Sequence, residues 1–243
     1  MIRYITLKIL SIFDFFHQRK IIRFIKERKI NEFATFFDVG AHKGESITLF
    51  TNNFKIKSMY SFEASPVNFQ ILANKINSLN KKFKNVKLII ENYAIGSDIK
   101  KVKLKQLSES SSSTIRGLNE NSDYFKNKKI LLQDSSKIDF FTEIEIDQIT
   151  LSDYSKNNNI DNIDFIKIDT EGYELEVLKG AKDILPNTKM ILFEHHYDDM
   201  IEKKYSFSDI SDFLRSNNFE QIYKIKMPFR KTFEYIYINK HRN

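Results

Sequence analysis

The chain has 243 residues, enough for one α/β domain with a small attachment, and its 41% hydrophobic and 29% charged content excludes a disordered chain. No apolar run reaches the roughly 18 residues of a spanning helix, and the absence of cysteine excludes a disulfide framework, thiolate zinc and a Cys nucleophile. A formal charge of +7 suits an anionic partner such as nucleic acid, phospholipid or a phosphate-linked substrate, and equally a solvated lysine-rich surface; no compact basic block with interleaved aromatics is present.

Residues 1–33 alternate apolar and basic positions at helical spacing, which predicts one or two amphipathic helices ahead of a main domain over 34–243. Lys8 and Asp14 interrupt the apolar stretch and no small-residue cleavage site follows, so a secretory signal is not expected and a cytoplasmic location is. Such a helix either docks on the main domain or makes a peripheral contact with the inner membrane surface, and periodicity alone leaves both open.

From Ala34 onward, short apolar runs alternate with helical patterns, the sign of βα units and a mostly parallel sheet. Strands are predicted at ATFFDV, KSMYSFE, VKLIIE, IDFIKID and KMILFE, with helices near Lys43–Asn53, Pro66–Leu79, Leu151–Asn158 and Tyr173–Leu185. Ser65 caps the helix that Pro66 opens. Residues 100–147 interrupt the rhythm with KVKLKQL, SESSSST and KIDFFTEIEI, which predict two strands flanking a Ser-rich loop, a plain loop or a lid over the substrate. After a helix over Phe207–Ser216, FEQIYKIKM and TFEYIYI form a closing hairpin around Pro228.

Gly40 and Gly44 follow the first strand and open a helix, where a chain without Cβ atoms turns tightly and lets a nucleotide-containing ligand approach. Their spacing departs from the dinucleotide fingerprint. Asp38 before them would repel a pyrophosphate and attract the sulfonium and ammonium of S-adenosylmethionine (SAM), while Lys43 suits a phosphate. Glu63, at the end of the second strand, lies at the offset of a ribose-binding acid, with Ala64 beside it. Asn92 and Ala94 close the third strand where an adenine edge would be met.

The fourth strand places Asp169 and Glu171 at the sheet's carboxyl edge, and Lys167 within it needs a carboxylate partner, for which Glu194 is the natural candidate. Glu194, His195 and His196 end the next strand and offer a general base for a hydroxyl nucleophile. Adjacent histidines on a strand point to opposite faces, which argues against joint metal ligation, although the carboxylates here are suitable ligands for a hard cation.

Together and in this order, FFDVGAHKGES, YSFEASPVNF, ENYAIG, TLSDY, IDFIKIDTEGYELEVLKGA and LFEHH resemble the FkbM-like family of SAM-dependent methyltransferases, between Phe36 and His195. The resemblance implies a Rossmann-like fold with a seven-stranded, mostly parallel sheet. It also implies SAM as cofactor, bound by Asp38, Gly40 and Glu63, with Asp169, Glu171 and Glu194 around the transferred methyl. His42 stands where the family often has Asn, and Ser152 where TLDD has its first acid.

The candidate cofactor residues are therefore Asp38, Gly40, His42, Gly44, Glu63, Ala64, Asn92 and Ala94. The candidate catalytic residues are Lys167, Asp169, Glu171, Glu194 and His195, with no metal assigned. The implied activity is O-methylation of a sugar or glycan hydroxyl, on a small-molecule, nucleotide-linked or lipid-linked surface-glycan precursor. Nucleic acid is not the expected partner, and the sequence is silent on oligomeric state. An NAD-binding oxidoreductase on the same fold and a nucleic-acid methyltransferase are the competing readings.

Overall fold

The computed structural model of the chain describes residues 2–107, 113–132 and 140–242. Most of the SESSSST run and the start of KIDFF lie outside the described residues. Helix α1 (Ile2–Glu27) leads into β1 (Glu32–Val39), α2 (Glu45–Asn53), β2 (Lys55–Phe62), α3 (Pro66–Lys82) and β3 (Lys87–Glu91). Short β4 (Ala94–Ile95) precedes the insertion, which holds β5 (Lys100–Leu107), β6 (Gly117–Leu118), α4 (Asp123–Leu132) and β7 (Phe141–Ile149). Then come α5 (Leu151–Asn157), β8 (Ile163–Ile168), α6 (Glu174–Gly180), β9 (Thr188–His196), β10 (Ile201–Glu202), α7 (Phe207–Ser216), β11 (Phe219–Lys226) and β12 (Thr232–Asn239).

Helix starts follow local chemistry. Ser65 Oγ accepts from the Asn68 amide (3.1 Å) ahead of Pro66, Thr150 Oγ1 accepts from the Asp153 amide (2.9 Å), and Ser206 with Asp209 forms a capping box. Helix α6 is shorter than the sequence predicts. It stops at Gly180, and the chain reaches β9 through turns and a single 3-10 turn at Leu185–Asn187 that contains Pro186. Helix α4 has no counterpart among the predicted elements, because its sequence is mostly polar and only Phe125 is buried within its described side chains.

The main sheet has seven strands in the order β11-β12-β9-β8-β1-β2-β3. β1, β2, β3, β8 and β9 are parallel, and β12 pairs antiparallel with both β9 and β11. The expected hairpin therefore closes the sheet with β12 inserted beside β9. Strand order reverses between β8 and β1, where a crevice opens at the carboxyl ends.

Alternation along each strand builds two cores. Phe36, Phe165, Met190, Leu192 and Ile236 face one side, under Ile21, Ile22 and Ile25 of α1, Ile47 and Phe50 of α2, and Leu72 and Leu79 of α3. Phe37, Ile166, Ile168, Ile191, Phe193, Tyr235 and Tyr237 face the other, under α5, α6 and α7. Phe36 and Phe165 stack at 4.8 Å across β1 and β8, and each buried aromatic of this kind contributes about 1.5–3 kcal/mol. The insertion forms its own small sheet, with β7 between β4 and β5.

The docking alternative for the N-terminal segment thus holds for its inward face, since Ile25 is 0% exposed in the main core. No helix among the described residues is long and apolar enough to cross a membrane. Replacing Ile25 with Ala should cost about 2–5 kcal/mol in urea denaturation. A loss below about 1 kcal/mol, the scale of a surface substitution, would show that α1 does not share this core.

Candidate active site

The β1–α2 turn is held by its backbone. Gly40 and Ala41 donate to the Phe62 carbonyl (2.9 and 3.0 Å), and Asp169 donates to the Val39 carbonyl (2.9 Å), so the ends of β1, β2 and β8 are tied together. Gly40 has φ +84°, and a Cβ there would lie 1.9 Å from the Asp169 carbonyl oxygen. The glycine thus answers first to protein backbone. Gly44, at φ +89°, starts α2, and a Cβ there would lie 2.9 Å from Leu72 Cδ1; it does not line the cleft. His42 adopts φ +49°, a left-handed conformation for which Asn, Asp and His are the favoured non-glycine residues, so its standing in place of Asn keeps the turn.

The His42 amide donates to Glu63 Oε2 (2.7 Å) and the Ser65 amide to Glu63 Oε1 (2.9 Å). Burial pushes the Glu63 carboxyl up, against the pull of these amides. Each oxygen retains acceptor capacity, enough for a ribose diol. Asn92 has a different role from the adenine contact expected of it. Its amide donates to the carbonyls of Glu63 (2.7 Å) and Ala64 (3.3 Å), and it braces the turn from behind.

Asp38 is fully buried and does not line the cleft. Its Oδ2 accepts from the Ser46 hydroxyl, and its Oδ1 lies 3.4 Å from Lys167 Nζ. Lys167 Nζ also lies 3.3 Å from Asp169 Oδ2 and 3.5 Å from the Gly40 carbonyl. Burial opposes the charge on Lys167, but Asp169 and Asp38 hold it protonated. Burial pushes the Asp38 carboxyl up against the pull of Lys167 and Ser46. Register corrects the expected Glu194 partner, because Asp38 is directly opposite Lys167 on β1, whereas its opposite on β9 is Leu192. The direct attraction of Asp38 for a cationic ligand is corrected too, since its charge is met by Lys167.

Glu194 pairs instead with His196. The His196 Nε2 lies 3.1 Å from both Glu194 Oε1 and Glu171 Oε2, while its Nδ1 lies 3.4 Å from Asp198 Oδ2 and 3.2 Å from Thr232 Oγ1. Burial opposes charge on His196, but Glu171, Asp198 and Glu194 hold its pKa well above the ordinary value. Burial and the neighbouring Asp169 push Glu194 up to about 8. His195 is on the opposite face, packed near Tyr197, Tyr205 and Phe207, and burial with Lys203 holds it down to about 3. The histidine beside the acids is therefore His196, not His195.

These turns border an open cleft at the carboxyl ends of the strands, where ligands bind in open α/β sheets. Gly40, His42, Glu63, Ala64, Ala94, Asp169 and Glu171 line it, together with Tyr93, Ile95 and Tyr173. Among the described residues its lining carries three carboxylates, Glu63, Asp169 and Glu171, and no Lys or Arg. At the α2 N-terminus, where a pyrophosphate would be held, Glu45 already accepts from the Lys43 amide (3.0 Å). Burial opposes it, but His42 and that amide hold the Glu45 carboxyl down to about 2. Among the described residues no group of His, Asp and Glu side chains is arranged to hold a metal ion.

The insertion supplies the wall that the candidate residues omit. Leu104, Ser113 and Ile115 line the cleft, and Gln106 meets the Ser65 hydroxyl and donates to Ser113 (2.9 Å). Thr114 Oγ1 donates to the Glu171 carbonyl (2.7 Å) and Arg116 Nε to the Gly172 carbonyl (3.1 Å). The only signal for these residues was the length of the insertion itself.

A family model described as the methyltransferase FkbM domain matches residues 38–220. No curated protein matches the chain in sequence. Among solved structures, methyltransferase FkbM from Methylobacillus flagellatus KT is similar at 17% identity and TM-score 0.52, over 84% of this chain and 43% of that one. The chain thus spans less than half of that protein. Magnesium protoporphyrin IX methyltransferase (ChlM) from Synechocystis PCC 6803 with bound SAH is similar at 8% identity and TM-score 0.52, over 96% of this chain and 86% of that one. A protein of the NADB-Rossmann superfamily from Streptococcus agalactiae is similar at 13% identity and TM-score 0.50, over 93% and 68%. At these identities the structural likeness is one of fold. The chain belongs to the FkbM methyltransferase family.

Lys167→Met should leave Asp38 buried without its cation and cost about 3–5 kcal/mol of stability in urea denaturation, with Asp38→Asn in the same chain restoring most of the loss. Equal stability of the single variant and the wild type would show that the pair does not hold the turn.

Proposed function

We propose that this member of the FkbM methyltransferase family transfers a methyl group from SAM to a hydroxyl oxygen of a sugar, in the synthesis of a nucleotide-linked or lipid-linked surface-glycan precursor in the cytoplasm. The observation that carries the cofactor is the cleft itself, which among the described residues has three carboxylates and no Lys or Arg on its lining. A sulfonium and an ammonium are stabilised there, whereas a pyrophosphate is repelled. Glu45 at the α2 N-terminus adds to that preference against a dinucleotide. The SAH held by the ChlM neighbour is in keeping with this assignment.

Glu63 is set to accept the ribose hydroxyls, with its carboxylate fixed by the His42 and Ser65 amides. Ala94, Ile95, Leu104 and Ile115 supply the apolar surface for a base. Bound SAM supplies an electrophilic methyl carbon and a neutral thioether leaving group. Asp169 and Glu171, on the lining next to the first turn, stabilise the cationic end and orient it for in-line attack by the acceptor oxygen. The hydroxyl proton then passes to Glu171 on the lining and, through His196 3.1 Å from both carboxylates, to Glu194 behind it, whose pKa of about 8 suits a general base.

The acceptor and the base are tested together by incubating the enzyme with methyl-labelled SAM and nucleotide- and lipid-linked sugars. Label should appear in an alkali-stable methyl ether. Because only the carboxylate form of Glu194 accepts the proton, the rate should rise as pH passes through about 8, and Glu194→Gln should lower turnover and remove that rise. Label found in an ester or an amine would overturn the hydroxyl acceptor, and an unchanged pH profile in the variant would remove Glu194 as the base.

A further inference from the structure

Helix α1 has a second face that the core does not use. Its inward side chains, His17, Ile21, Ile22 and Ile25, are buried, while Phe15 and Phe16 are 52% and 57% exposed. Arg19, Lys20, Arg23 and Lys26 are exposed along the same side. Asp14 is the sole acid between Phe13 and Lys26, and it is tied 2.9 Å from Arg230. That ion pair joins α1 to the turn between β11 and β12. There Phe229, 74% exposed, meets Phe13 edge-on at 4.8 Å, and Lys231 is exposed beside it.

Two exposed aromatic pairs thus stand on this side of the molecule, Phe13 with Phe229 and Phe15 with Phe16, with cations around them. Scattered exposed apolar residues are ordinary, but a gathered aromatic patch marks an interaction surface. Charge decides what covers it. A second copy would bring the same cations against one another. Phospholipid phosphates neutralise them, while the rings enter the headgroup and acyl boundary, as on basic amphipathic helices that lie in a membrane surface. Arg19 already holds its guanidinium 5.3 Å over the Phe15 ring, aromatic and cation presented together.

The patch also adjoins the His196 acid cluster, which receives the acceptor's proton in the proposed reaction and so marks the acceptor side of the cleft. The Lys231 carbonyl accepts from the Tyr197 amide (2.6 Å), and Thr232 is paired with His196 across β12 and β9. We infer that the outward face of α1, together with the Phe229 turn, binds an anionic phospholipid surface and so turns the acceptor side of the cleft toward a lipid-linked sugar. The second half of this inference rests on the proposed O-methylation; surface binding does not.

The test is co-sedimentation of the full chain with vesicles of phosphatidylcholine containing phosphatidylglycerol, against vesicles of phosphatidylcholine alone, without SAM or acceptor. The protein should pellet with the anionic vesicles only, and high salt should release it. The triple variant Arg19→Glu, Lys20→Glu, Arg23→Glu should bind at least about a hundredfold more weakly. Phe229→Ser should weaken binding while leaving its salt dependence in place. Circular dichroism and SAM titration check that the variants remain folded. Absence of binding by the wild type, equal binding by the charge-reversed chain, or a dimer that the same substitutions dissociate would each overturn the membrane surface. Failure of methyl transfer with intact vesicle binding would overturn only the proposed reaction.

Discussion

Lys167 sits between two carboxylates from different strands, Asp38 on β1 and Asp169 just beyond β8, and the candidate site is arranged around that contact. A buried ammonium is expensive to desolvate, so it remains in the sheet only where carboxylates and carbonyls meet it. Here the partners are the strand ends on either side of the point where sheet order reverses. The ammonium draws them together closely enough that Gly40 has no room for a side chain beside Asp169. Such a pair adds little net stability compared with apolar packing, but it specifies one arrangement of the two turns. Asp169 is thereby oriented at the edge of the cleft, while the charge of Asp38 is used internally.

Two of the six non-glycine residues with left-handed φ among the described residues lie at the same place. His42 and Glu171 both adopt left-handed conformations without being glycine, and both line the cleft. Conformations of this kind persist where surrounding contacts over-determine them. For His42 those contacts are Glu63 and Glu45; for Glu171 they are His196 on one side and Thr114 on its carbonyl. The insertion is therefore part of the site's construction, since Thr114 and Arg116 fasten the turn that carries Glu171.

Much of this was legible because it follows from local patterns. Alternation in ATFFDV and KMILFE, the Ser65–Pro66 helix start and the offset of Glu63 all depend on near neighbours, and the structure has them where the pattern puts them. Partners across strands depend on register, which no single segment contains, so the sequence points Lys167 to Glu194 whereas the fold pairs it with Asp38. The positions of Asn92 and Gly44 after strands point to a ligand, while their atoms are engaged by the protein's own turns. The histidine was within reach of the sequence. Residues two apart on a strand share a face, so Glu194 already pointed to His196. The clasp by Thr114 and Arg116 was not, because a contact between an insertion and a turn some 57 residues away leaves no periodic trace.

The cleft, with Glu63, Asp169 and Glu171 on its lining, is an acidic site suited to a cationic nucleoside cofactor. Calorimetric titration of the wild-type protein with SAM and, separately, with NAD tests it most directly. SAM should bind saturably, and NAD at tenfold excess should not compete it away. NAD binding more tightly than SAM, or no SAM binding by folded protein at millimolar concentration, would contradict it.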